Sequence, residues 1–99
     1  MNQHELIQEA WSLTEAIETA VGNEDWARAA ELTEARAPLV MAMRAEQPAE
    51  SLAVIRRIQA SMDAVASRAQ MAQTALATNY RRLMDGMNAV SRYHQAVRF

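Results

Sequence analysis

Two lines of residues, each repeating every seven positions, run without a slip through the second half of the chain, Ala49 to Phe99. One reads Ile55, Met62, Ala69, Leu76, Leu83, Val90, Val97; the other reads Ile58, Val65, Ala72, Asn79, Gly86, Tyr93. Apolar residues alternating three and four apart occupy one side of an α-helix, and a strict seven-residue period lets that side follow a partner helix in a left-handed supercoil. After Pro48 there is no further proline and a single glycine, so little competes with helix here. The stretch therefore reads as one long third helix, with Asp85-Gly86 as the place where it would divide into a short fourth.

The first half must cover at least part of that helix. Leu6, Ala10, Leu13, Ile17 and Ala20 form one seam at helical spacing, widened by Ile7, Trp11 and Val21, which predicts a first helix from Asn2 to Val21. Gly22 is placed as a left-handed stop. Asn23 is then a favoured N-cap, with Glu24 and Asp25 in the first turn of a second helix, where the helix dipole favours acids. The predicted seam of that helix is Trp26, Ala29, Ala30, Thr33, Ala37 and Val40, with Leu32, Leu39 and Met43 alongside. Trp26 is expected to lock the second helix into the bundle. Pro38 removes a backbone donor and crowds the carbonyl of Glu34, predicting a kink or local break near Ala35–Ala37. A second reversal falls at Arg44 to Gln47, and Pro48 suits the first turn of helix three.

The fold expected is all-α: an antiparallel, up-down-up three-helix bundle in a single domain, residues 1–99, with a third helix longer than the other two. Its Ile55–Ala72 part, Met62 included, is assigned to the shared core, and Leu76–Val97 is left without cover. Composition agrees, because two glycines and two prolines are few for a turn-rich β protein. A chain of 99 residues buries roughly 60–70% of its unfolded surface, enough for one modest core.

Function classes narrow by elimination. The chain has no cysteine, which removes disulfides and thiolate metal sites. The longest apolar run, Ala37 to Met43, is far short of the roughly 20 residues a membrane span needs. The start, Met1-Asn2-Gln3-His4-Glu5, is not the basic start of a signal peptide, so a cytoplasmic location is expected. His4 and His94 lack the Glu-x-x-His spacing of a bundle metal site, and no metal or other cofactor is expected. No serine has a glycine elbow beside it, and Gly22 with Gly86 cannot build a phosphate loop, so the expected function is not enzymatic.

Charge is uneven. Residues 1–50 carry ten acids and three bases, a balance of −7, and residues 51–99 carry two acids and seven bases, a balance of +5. The Arg56-Arg57 and Arg81-Arg82 doublets on the long helix read as solvated flanks of the seam; a net acidic chain without a recognised motif argues against nucleic acid as a partner. The uncovered seam is the better lead. Leu76, Tyr80, Leu83, Met84, Met87, Val90 and Tyr93 are the residues expected to bind a partner, with methionine supplying an adaptable surface.

Around the second helix, Asn23-Glu24-Asp25-Trp26-Ala27-Arg28-Ala29-Ala30-Glu31-Leu32 followed by Arg36-Ala37-Pro38-Leu39-Val40 resembles the FliT family of flagellar export chaperones. Ala89-Val90-Ser91-Arg92-Tyr93-His94 is similar to a segment near the end of many members. The resemblance implies a small cytoplasmic helical chaperone of flagellar type III protein export. Such a protein binds the C-terminal helical segment of the filament-cap protein FliD and escorts it to the export apparatus. The alternative is a structural or regulatory coiled-coil protein acting by self-association, as a homodimer, or by binding a transcription factor.

Overall fold

The computed structural model describes the backbone of residues 1–97 and the side chains of residues 1–88. Within these residues there are three helices and no strand: α1 (Gln3–Gly22), α2 (Trp26–Met41) and α3 (Ala49–Val97). The chain divides into two compact units, Met1–Ala66 and Ser67–Phe99.

In the first unit α1 begins where Asn2 caps it. The Asn2 side chain accepts from the Glu5 backbone N–H at 2.8 Å, satisfying one of the donors a helix start leaves free. The α1 seam is close to that expected. Leu6, Ile7, Ala10, Ile17, Ala20 and Val21 are buried, Leu13 is half-buried, and Thr14 is sealed among them. Ile17, Ala20 and Val21 form a cluster with Ala29 and Leu32 of α2, against which Leu13, Ala16, Trp26 and Val65 pack. Each large aliphatic buried in this way contributes about 1.5–3 kcal/mol relative to exposure.

The reversal between α1 and α2 differs from expectation. Gly22 is the last helical residue, and no glycine has a positive φ. Glu24 takes the left-handed conformation, with φ 58°. The Asp25 N–H donates to Ala20 O at 2.8 Å and the Glu24 N–H to Val21 O at 3.0 Å, which is the bonding pattern of a Schellman cap. Nor is Asn23 the N-cap of α2. Asp25 is, its side chain accepting from the Arg28 N–H at 3.1 Å. One aspartate thus closes α1 through its backbone and opens α2 through its carboxylate.

The buried line of α2 is Ala29, Leu32 and Arg36, with Trp26, Leu39 and Val40 half-buried beside it, whereas Ala30, Thr33 and Ala37 are exposed. The seam is rotated from the expected one because an arginine occupies a core position. Pro38 does not break the helix, which runs on to Met41. The proline sits about one turn from the end, where the Glu34 carbonyl it deprives of a donor belongs to an exposed residue.

Pro48 stands just before α3 and not inside it, its carbonyl accepting from the Leu52 N–H at 2.9 Å. In the first unit the residues of α3 that face the other helices are Val54, Ile58, Ser61 and Val65, of which Ile58 and Ser61 are buried. Met62 is a correction: it is 37% exposed and not core. The Ile55–Met62 line lies at the edge of the packed face.

The second unit, Ser67–Phe99, contains the rest of α3. The helix passes through Asp85-Gly86 without a break, so there is no fourth helix within the described residues. A glycine in a helix interior costs only about 1 kcal/mol relative to alanine, too little to end a helix carried into it by Arg81, Arg82, Leu83 and Met84.

Candidate partner-binding site

Leu76, Tyr80, Leu83 and Met87 succeed one another at spacings of four, three and four on α3, so they share one face. They are 70%, 63%, 61% and 58% exposed, and Met84 beside them is 38% exposed. No residue from 73 to 88 is even half-buried. The side chains of Val90 and Tyr93 lie outside the described residues. The structure thus brings five of the seven expected partner-binding residues onto one helical stretch.

The surroundings of this seam are polar but carry little fixed chemistry. Thr74 and Thr78 spend their hydroxyl donors on their own helix, bonding Gln70 O at 3.0 Å and Thr74 O at 2.9 Å. Arg81, Arg82 and Asp85 are exposed, and none forms an ion pair among the described residues. The arrangement offers apolar contact flanked by the positive charge of Arg81 and Arg82. Among the described residues no group of three or more acids or histidines is placed to hold a metal ion.

The residues assigned structural roles are placed as follows. Trp26 is half-buried against the Ile17–Leu32 cluster, Pro38 lies near the end of α2, and Gly22 ends α1 with open space where a Cβ would stand.

Two features escaped the sequence reading. One is the pairing of Arg36 with Thr14. Arg36 is 5% exposed, and its Nη1 donates to Thr14 Oγ1 at 3.0 Å; Thr14 in turn donates to Ala10 O at 2.8 Å. Burial pulls the guanidinium pKa below its ordinary value. The position of Arg36 four residues after Leu32 and seven after Ala29 was the available signal.

The other is a groove of about 400 Å³ in the first unit, between the end of α2 and the start of α3. Val40, Met43, Leu52, Ile55, Ile58 and Met62 form its apolar walls, and Arg44 and Arg56 stand among them. It exists because α2 stops at Met41 and the connection up to Pro48 does not fill the face of α3 that follows. The heptad line through Ile55 and Met62 was its signal, read as core because that line cannot say how far a neighbouring helix extends.

The connection is held from α1. Gln3 Oε1 accepts from the Arg44 N–H at 3.0 Å and from Gln47 Nε2 at 2.7 Å, while Gln3 Nε2 donates to Ala42 O at 3.2 Å.

No protein-family model, curated protein or solved structure matches the chain. What the fold defines is an all-helical protein, and no helix among the described residues is long and apolar enough to cross a membrane.

Proposed function

We propose that the chain is a helical export chaperone or adaptor whose exposed α3 seam holds a helical segment of another protein. The observation that carries this reading is the line Leu76, Tyr80, Leu83 and Met87, each more than half exposed. Large apolar side chains presented together on a soluble surface mark a site of interaction. A line at spacings of four, three and four matches a partner that is itself a helix.

The particular client follows from the resemblance of helix two to the FliT family. It is the C-terminal helical segment of the filament-cap protein FliD, bound in the cytoplasm and passed to the flagellar export apparatus. The reading includes an antiparallel, up-down-up order of the three helices. It is supported by Gln3 at the start of α1 meeting the connection after α2, and by Arg57 lying over the Trp11 ring at 4.6 Å from its centroid.

Charge favours a client over a second copy of the chain. From 67 to 88 the sequence holds three arginines and one aspartate, so pairing this segment with itself sets like charges along the seam. Titration calorimetry with a synthetic peptide of the FliD C-terminal segment tests the proposal. Binding with a micromolar Kd that Leu83→Glu weakens about 30-fold is expected; no heat at tens of micromolar, with a helical peptide and folded protein, overturns it. Sedimentation at the same concentration separates the self-associating alternative, which predicts a dimer without peptide.

A further inference from the structure

We propose that the groove between α2 and α3 in the first unit is a second binding site, which takes an acidic amphipathic helical segment of another protein. It uses none of the residues of the distal seam and stands independently of the identity of the FliD client.

The walls set the first part of the specificity. On α3 the lining runs from Leu52 to Met62, a length of about 15 Å at 1.5 Å per residue. That length takes about three side chains of a helix spaced i, i+3 or i+4, and i+7. Val40 and Met43 supply the facing wall from the end of α2. Met43 and Met62 are flexible, so the walls adapt to side chains of differing shape.

The charged groups set the second part. Arg44 and Arg56 line the groove, and no acid does. Neither arginine forms an ion pair among the described residues, where the one pair is Arg28 with Glu31 at 3.2 Å. The neighbouring Arg57 is engaged differently, over the Trp11 ring. Two unpaired guanidinium groups on an apolar groove match a segment whose apolar stripe is bordered by carboxylates, since arginine pairs with carboxylates through two parallel hydrogen bonds. A basic segment is repelled by the same groups. Complementarity of this kind acts on selectivity once the segment is seated, by local contact with Arg44 and Arg56.

The test uses the full chain labelled with 13C at the methionine methyls. Two synthetic helical peptides share one leucine stripe and differ only in having glutamate or lysine beside it. The glutamate peptide is expected to shift the Met43 and Met62 methyls, and the lysine peptide to leave them in place. In the double variant Arg44→Glu, Arg56→Glu, affinity for the glutamate peptide is expected to fall about tenfold or more and the preference to reverse. Both arginines are exposed, so the reversal does not disturb the core. Equal binding of both peptides overturns the proposal, as does no shift at millimolar peptide. Shifts confined to Met71, Met84 and Met87 also overturn it, while leaving the distal seam as the client site. Concentration-dependent shifts of Met43 and Met62 without peptide assign the groove to a second copy of the chain, and shifts with laurate but neither peptide assign it to a lipid; either result overturns it.

Discussion

Arg36 of α2 donates to the hydroxyl of Thr14 of α1 at 3.0 Å, and both residues are almost completely shielded from water. No carboxylate lies within ion-pairing distance of the guanidinium among the described residues. Burial disfavours the charged form of this guanidinium and lowers its pKa. The threonine does not depend on the arginine, because its own donor is satisfied by Ala10 O.

That asymmetry makes a double-mutant cycle informative. Thr14→Val removes the acceptor from a buried charge and is expected to destabilise by about 2 kcal/mol. Arg36→Met removes the charge, keeps much of the volume, and is expected to be neutral or stabilising by about 1 kcal/mol. In the Arg36→Met background Thr14→Val should cost little, giving a coupling of about 1–2 kcal/mol by urea denaturation. Additive effects would show that the hydrogen bond carries no stability.

The cap between α1 and α2 gives a second prediction. Glu24 adopts a left-handed conformation that costs an ordinary residue about 1 kcal/mol and glycine almost nothing, so Glu24→Gly should stabilise by about that amount. Gly22 is helical and a Cβ there meets nothing within 4 Å, so Gly22→Ala should also stabilise, by about 0.5–1 kcal/mol. Were Gly22 the left-handed residue, the same substitution would destabilise. Thermal unfolding of the two variants therefore reads out which residue carries the turn.

Much of this fold is legible from residue pattern. The existence of three helices, the Asn2 start, most of the α1 seam and the length of α3 follow from apolar spacing and from where glycine and proline fall. The misplaced details share a cause. A left-handed glutamate leaves no trace in sequence, so the turn is assigned to the nearest glycine, two residues early. A buried arginine looks like a surface residue, so the α2 seam rotates away from Arg36 towards Thr33 and Ala37. On α3 two adjacent heptad lines fit a helix equally well, and choosing between Ile55–Met62 and Val54–Ser61 as companions of Ile58 needs the positions of the other helices. That last ambiguity is why the groove along Ile55 and Met62 is not legible in the sequence. The line Leu76, Tyr80, Leu83 and Met87 is legible as one shared face because its residues are large, apolar and spaced four, three and four.

A third prediction concerns the α2–α3 connection. Gln3 makes three hydrogen bonds to it, and Gln3→Ala should cost about 1–2 kcal/mol. Gln3→Glu keeps the acceptor but loses the donor to Ala42 O, so its effect should be smaller. Amide exchange at Arg44 is the specific readout, expected to speed up most in Gln3→Ala; unchanged exchange there would mean that the connection is held by its own bonds, such as Gln47 to Arg44 O at 3.0 Å.

The final prediction separates stability from binding on the distal seam. Leu83 is 61% exposed, so Leu83→Glu removes little buried area, and glutamate is nearly as good a helix former as leucine. Its effect on unfolding should stay within about 0.5 kcal/mol. On a client-bound seam the same change buries a carboxylate against an apolar partner, costing about 2 kcal/mol or more, a loss of roughly 30-fold in affinity. Gly86→Ala works in the opposite direction. A Cβ at Gly86 meets nothing within 4 Å, so alanine should strengthen the helix by about 1 kcal/mol without obstructing the face. A seam that must be helical to bind then gains affinity, because less ordering is left to the binding step. Circular dichroism and calorimetry on the two variants check both halves: a Leu83→Glu protein that melts early places that residue in a packed interface, and a Gly86→Ala protein of higher helicity but unchanged affinity shows the seam to be fully ordered before its partner arrives.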